Sequence, residues 1–325
     1  MRVLRAHISY RRQWSFWQGS GGHERSLQAA LPELSARPVM THDLAVLQDL
    51  YDAWIMDTES VALTHFRFRL DGRSPNRDAM YMARHRLREL WDLGAVLRGR
   101  PSARYGEGSL PLLYQLSRLG YEVLRQANWS GPGADPRLDR GYTPAAGNLD
   151  RILHHAEATQ FMARWLARLD ADGAAPVHWR PVGRATCEAG QGASRVRLLP
   201  DGIVEVGGPG DGCCYLVEWE RSADTARFRD KLARLAAFRH LEGWRENALL
   251  APPVYLVVAW EHPDPALDRT WGGRGRLGAL VETARHHEGG DFTLFLRGED
   301  LERGSYIAFT TGGEPVGLLW GEGEQ

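Results

Sequence analysis

Leu199-Pro200-Asp201, then Cys213-Cys214-Tyr215-Leu216-Val217-Glu218-Trp219-Glu220, then a helical stretch carrying Lys231, is the part of the chain whose reading decides the fold. The eight residues from Cys213 are apolar until Glu218, and their length and β-forming side chains predict a strand. Side chains along a strand alternate between faces, so Glu218 and Glu220 share one face. Asp201 stands at the turn into the neighbouring strand of a hairpin, where it can converge on them. Two carboxylates on a buried face cost several kcal/mol unless a cation or a base pairs with them. An oxygen-rich set of this kind suits Mg²⁺ or Mn²⁺, which activate water and stabilise charge on a phosphodiester. A solvent-facing sheet edge, where neither glutamate needs a partner, is the competing expectation. The one lysine among 40 basic residues, Lys231, follows Glu220 by eleven positions. An ammonium is a compact three-donor charge that arginine does not replace, although an arginine-biased composition would leave a last lysine anywhere.

The flanking sequence alternates apolar runs with turns and helical patterns. Strands are expected at Arg195–Leu199, Ile203–Val206, Val254–Trp260 and Phe292–Leu296, with helices from about Ser222 to His240 and from Gly275 to Arg285. Val254–Trp260 is continuously hydrophobic, as in a strand buried on both faces. The expectation is an α/β domain with a mixed sheet flanked by helices.

Earlier in the chain the pattern is helical. Thr41-His42-Asp43-Leu44 resembles an N-cap with an acid in the first turn, followed by Leu44, Leu47, Leu50, Tyr51 and Trp54 at helical spacing. A short helix is expected at Asp57–His65. A third starts near Pro75 with Met80, Ala83, Leu87, Leu90 and Trp91 as its apolar stripe, ended by Gly94. The runs Ala95–Leu97 and Leu112–Leu116 flank an Arg- and Gly-rich tip, and a further helix follows from Ser117. These are the parts of a winged helix-turn-helix, whose third helix enters the major groove of DNA. On that helix Arg77, Tyr81, Arg84 and Arg88 share one face. Arg73 precedes them, and Arg98, Arg100 and Arg104 lie on the wing, where they can meet phosphates or the minor groove. Arg73 to Arg104 hold eight arginines against three acids inside a chain of net charge −1, which points to a polyanion and hence to double-stranded DNA. A solvated charged face is the plainer alternative.

The expected organisation is a basic, poorly ordered arm over residues 1–38, a winged helix over 39–127 and a linker over 128–147. A connecting helix (Leu149–Leu169) and the α/β domain then occupy 148–325, making an α+β two-domain protein. At 325 residues the chain is long enough for two cores. No apolar run is long enough to span a bilayer, no secretory signal pattern opens the chain, and a cytoplasmic location is expected. Cys187, Cys213 and Cys214 cannot form a disulfide framework and lack zinc-site spacing. His154 and His155 on the connecting helix are expected at a domain junction or in solvent, and Glu157 is a weak further metal candidate, more simply a surface residue.

Proline-aspartate at Pro200-Asp201 followed by Glu218-Trp219-Glu220 and a helix resembles the PD-(D/E)xK nuclease superfamily. The whole arrangement resembles the replication-relaxation family of bacterial mobile elements. The matching pieces are Thr41–Leu47, Arg86–Leu90 with Leu93-Gly94, Tyr114–Ser117 to Gly120, His154-His155-Ala156, and Leu216–Arg221 with Lys231-Leu232, spread over residues 41 to about 310. The resemblance implies a DNA-binding protein of plasmid or integrated-element maintenance with a nuclease-like domain. It implies metal binding by Asp201, Glu218 and Glu220, and a catalytic ammonium. One departure bears on mechanism. The superfamily places a lysine two residues after the strand glutamate, where this chain has Glu220, so Lys231 would have to supply the ammonium from the next helix. The same pattern is open to a metal-dependent endonuclease or nickase and to an inactive regulator of replication or transcription that uses the domain for DNA grip or as a homodimer.

Overall fold

The computed structural model describes residues 40–66, 77–101, 111–129, 142, 149–171, 173, 177–207, 212–220, 224–247, 254–260, 276–297 and 307–318. The expected basic arm, and Arg73 and Arg104, lie outside them. The chain divides into two compact units, one ending at Arg164 and one beginning at Trp165.

In the N-terminal unit, α1 (Met40–Ala53), β1 (Met56–Asp57), α2 (Thr58–His65), α3 (Arg77–Asp92), β2 (Val96–Gly99), β3 (Leu113–Leu116) and α4 (Arg118–Trp129) succeed one another. Thr41 lies inside α1, which starts at Met40, so it is not the expected N-cap. The hairpin β2–β3 gains a third antiparallel strand, β1, giving the order β1-β3-β2. Two residues are too few to show a strand period, which is why only the hairpin was expected. Asp57 ends β1 and caps α2, its Oδ1 accepting from Ser60 N at 2.7 Å. Burial pushes its carboxyl up to about 6, and the neighbouring Glu59 adds to that. Gly94 closes α3 as expected, with a φ of 79°. Ala95 N donates to Leu90 O at 2.9 Å, satisfying a terminal carbonyl. Val46, Leu47, Leu50, Ala83, Leu87, Leu90, Val96 and Leu116 share one core.

Ser117 starts α4 by accepting from Gly120 N at 3.0 Å. This first turn lies so close to the hairpin that a Cβ on Gly120 would stand 2.1 Å from Ala95 O. Gly120→Ala is therefore expected to cost about 2 kcal/mol or more through backbone displacement. Thermal denaturation checks this, and an unchanged melting temperature would contradict it.

α4 runs to Trp129, two residues into the expected linker. Tyr142, from the same stretch, packs on this unit: its hydroxyl donates to Leu116 O at 2.9 Å. Its ring lies 5.8 Å from that of Tyr121. The long helix α5 (Leu149–Ala171) contributes Leu149–Arg164 to the N-terminal unit, whereas the sequence suggested that all of it belongs to the second domain. It is held there by Arg164, whose Nε and Nη2 donate to the two carboxylate oxygens of Glu59 at 2.8 and 2.9 Å. Gln160 donates to Asp57 Oδ2 at 2.8 Å one turn earlier.

The C-terminal unit holds a seven-stranded mixed sheet. Its strands are β4 (Val177–Pro181), β7 (Gly202–Val206), β8 (Cys213–Glu220), β9 (Val254–Trp260), β10 (Thr293–Arg297), β11 (Ile307–Phe309) and β12 (Pro315–Gly317). β5 (Cys187–Ala189) and β6 (Val196–Leu198) form a separate hairpin. β8, β9 and β10 are parallel and the other pairings antiparallel. Parallel pairing requires crossovers, supplied between β8 and β9 by α6 (Thr225–His240) and α7 (Gly243–Glu246), and between β9 and β10 by α8 (Arg276–Arg285). Cys214, Leu216, Leu256, Val258 and Phe295 pack with Phe228, Leu232, Leu235 and Leu280 in one core. Tyr215 is the next residue along β8 from Cys214 and therefore faces the other way, where its ring lies 5.1 Å from that of Trp165.

Candidate functional site

Register brings the candidate residues of the C-terminal unit together. Gly202 pairs with Val217, which sets Asp201 beside Glu218 at the end of the hairpin. Asp201 N donates to Val217 O at 2.8 Å, and Asp201 Oδ2 accepts from Trp219 N at 2.9 Å. The carboxylate is thus fixed by a backbone amide of the strand that bears the two glutamates. Asp201 and Glu218 are both buried, at 9% and 8% exposure. They lie at the carboxyl end of β8, the strand that has an antiparallel neighbour on one side and a parallel one on the other.

Asp224 places the fourth residue by capping α6, its Oδ1 accepting from Ala226 N and Arg227 N at 3.1 and 3.0 Å. Two turns on, the same helix face that buries Phe228, Leu232 and Leu235 brings Lys231 to the strand end. Lys231 Nζ donates to Glu218 Oε2 at 2.6 Å and to Glu220 Oε2 at 3.4 Å. The ammonium stands between the two glutamates although eleven residues separate it from the nearer. Burial pushes the Glu218 carboxyl up to about 7; Asp201 and Glu220 push the same way, and Lys231 pulls against them. Burial alone would lower the Lys231 ammonium, but Glu218, Glu220 and Asp201 outweigh it and its pKa is raised.

The same sheet face carries a buried pair that was not expected. Glu205, 3% exposed, meets Arg180 Nη2 at 3.2 Å, and Arg180 Nη1 donates to Asn247 O at 3.1 Å. The pairing of His178 with Glu205 across β4 and β7 puts Arg180 only a diagonal away, a relation invisible until the register is known. Cys187 and Cys214 are buried and Cys213 half-buried. Burial pushes all three thiols up, Cys187 to about 11, so they stay protonated and behave as small hydrophobes.

In the N-terminal unit, Arg77, Tyr81, Arg84 and Arg88 are all exposed on α3. Arg98, on β2, lays its guanidinium over the Trp91 ring at 3.4 Å from the centroid. Burial pushes the Tyr114 phenol up, while Thr58 and then Arg98, Arg100 and Arg84 pull it down. Arg86 belongs to the interior: it meets the buried Asp43 at 3.1 Å and Glu89 at 2.6 Å. Of the two places expected for His155, solvent is excluded: it is buried, with its ring edge-on to that of Trp54 at a centroid distance of 4.8 Å. Glu157 is 3% exposed instead of lying on the surface, because α5 is apolar on most sides here, with Ala156, Ala158 and Phe161 buried around it.

Two α+β units, one with an exposed arginine-lined helix and one with a seven-stranded mixed sheet bearing a carboxylate–lysine cluster, define the class of architecture. The chain belongs to the replication-relaxation family, whose pattern it matches over residues 47–251. No curated protein matches it. Among solved structures, the restriction endonuclease FokI aligns at 11% identity over 88% of this chain and 73% of FokI, with a TM-score of 0.25. A likeness of that degree carries no structural argument. Among the described residues no helix is long and apolar enough to cross a membrane.

Proposed function

We propose that this replication-relaxation protein binds double-stranded DNA through a winged helix-turn-helix in its N-terminal unit and hydrolyses a phosphodiester with a PD-(D/E)xK-type site in its C-terminal unit. The observation that carries the proposal is the contact of Lys231 with Glu218 at 2.6 Å, beside Asp201. It supplies from α6 the ammonium that Glu220 displaces from its usual place on the strand. The order of helices and antiparallel strands from Met40 to Trp129, with an arginine face on α3, supports the DNA-binding half.

The residues fit a divalent cation. Asp201, Glu218 and Glu220 offer only hard oxygen donors, and a cation would offset the burial, and the smaller push from Asp201 and Glu220, that raise Glu218. Asp201 and Glu218 would hold Mg²⁺ or Mn²⁺, with Glu220 as a further ligand or a holder of water. Such an ion supplies an activated water and neutralises charge developing on phosphate. Asp201 keeps its orientation through Trp219 N, and Lys231 donates to the attacking oxygen or to a non-bridging phosphate oxygen. A plasmid or integrated mobile element is the expected setting.

A second reading is favoured by the same contact. Lys231 already pairs with both glutamates, an arrangement that also serves a catalytically inactive regulator of replication or transcription. Incubating the purified chain with supercoiled DNA in Mn²⁺, Mg²⁺ or chelator separates the two. Nicking or linearisation that disappears in chelator is expected. Gel retardation without a cut would leave the regulator, and the absence of both retardation and cleavage would overturn both readings.

A further inference from the structure

On α3 the positive charge and the exposed aromatic surface are unevenly placed. Tyr81 is 64% exposed, the highest value for a large apolar side chain among the described residues. Its ring lies 6.2 Å from the His85 ring one turn on, so the two form a small aromatic platform. Arg77 precedes Tyr81 by one turn, Arg84 follows it by three residues, and Arg88 extends the stripe by another turn. By helical spacing Arg84, Arg77 and Arg88 form one stripe along the exposed face, and Tyr81 and His85 lie side by side along its edge. An aromatic ring set beside guanidiniums offers apolar contact as well as charge to whatever binds this face.

We infer that Tyr81 and His85 are the sequence-reading residues of this helix and that they recognise a thymine-bearing base step in the DNA major groove, while Arg77, Arg84 and Arg88 hold phosphates. The inference rests on the DNA-binding reading above. Guanidiniums along one side of the platform, with Arg77 before it and Arg88 after it along the helix, complement the phosphates of a backbone that borders a groove, which an uncharged partner would not require. Thymine is the base whose major-groove edge presents a methyl group, the natural partner of an aromatic ring. The His85 ring adds a hydrogen-bonding group toward the neighbouring edge. Arg98, anchored on Trp91, is pre-set for a phosphate or the minor groove.

The test is selection from a duplex library with a randomised core, in chelator to prevent cutting, using the full chain as wild type, Tyr81→Ala, Tyr81→Phe and Arg84→Ala. Wild type should enrich a thymine-containing motif. Tyr81→Phe should retain it and Tyr81→Ala should lose it. Arg84→Ala should weaken binding to all duplexes and lower the salt slope by about one, with the same motif enriched. Replacing the motif's thymidines by deoxyuridine should weaken wild type about fivefold and leave Tyr81→Ala unchanged. Enrichment of the same motif by Tyr81→Ala, or no enrichment by a wild type that binds the library, overturns the inference and leaves DNA binding standing. A wild type that binds no duplex overturns both.

Discussion

Lys231→Met is expected to destabilise the C-terminal unit strongly near pH 8 and weakly near pH 5.5. The substitution keeps an unbranched chain of similar length but leaves Glu218, Glu220 and Asp201 facing one another without the ammonium. Removing one partner of a buried pair costs about 3–5 kcal/mol, and the part-exposure of Lys231 brings the expected loss to about 2–3 kcal/mol. The direction with pH follows from Glu218. Its carboxyl is raised in the fold from 4.5 to about 7, so between those values the folded chain binds more protons than the unfolded one. The stability gained from that protonation is full below about pH 4.5 and is lost as pH rises through 7. Without Lys231 the carboxyl shifts further up, and the penalty for ionising it grows over the range pH 7–9. The gap in melting temperature between wild type and Lys231→Met should therefore be at least twice as large at pH 8.5 as at pH 5.5. Combining Lys231→Met with Glu218→Gln should recover much of the loss, because the pair acts as a unit. A gap that stays constant with pH, or a double variant whose losses simply add, would show that the contact does not govern stability.

How far the cluster was legible depends on the distance over which each relation acts. The common face of Glu218 and Glu220 follows from the two-residue period of one strand, and the apolar stripe of α3 from the helical period. Gly94 at the end of α3 needed only the steric freedom of glycine at a φ of 79°. Asp201 could be set near Glu218 because a hairpin links consecutive strands. Its bond to Trp219 N could not be read, since it depends on the register, and a one-residue slip would turn the carboxylate to the other face. Arg86 counted toward the basic excess, yet Asp43, 43 positions earlier, draws it inward. Glu205 and Arg180 were hidden for the same reason, because they meet across two strands joined through a separate hairpin. Trp54 continues the helical spacing of the apolar positions of α1, yet it sits after the helix end with a φ of 66°. Its indole is held by the His155 edge, and a tertiary contact of that kind overrides the local preference of a bulky residue. Short strands such as β11 and β12, three residues each, carry too few positions to display alternation.

Asp201→Asn is expected to abolish metal-dependent cleavage, with a fall of about 100-fold or more, while leaving the fold intact. Alanine is the poorer probe at this position. Its methyl group cannot accept from Trp219 N, and stranding that buried amide would cost about 1–3 kcal/mol and confuse inactivation with unfolding. Asparagine keeps an oxygen where Asp201 Oδ2 stands, so the 2.9 Å bond to the strand survives and only the charge is lost. Removing that charge also relieves Glu218, whose carboxyl Asp201 helps to push up. The variant should melt no lower than wild type at pH 8, and its Glu218 should ionise more readily. Its affinity for DNA in chelator should change less than about twofold, because the phosphate contacts proposed above lie on the arginine face of α3. Cleavage lost with stability and retardation preserved assigns the chemistry to the carboxylate itself. Cleavage that persists in Asp201→Asn would remove Asp201 from the metal site, and with it the PD-(D/E)xK assignment, since Glu218 and Glu220 held by Lys231 would then be only a salt-bridged strand end.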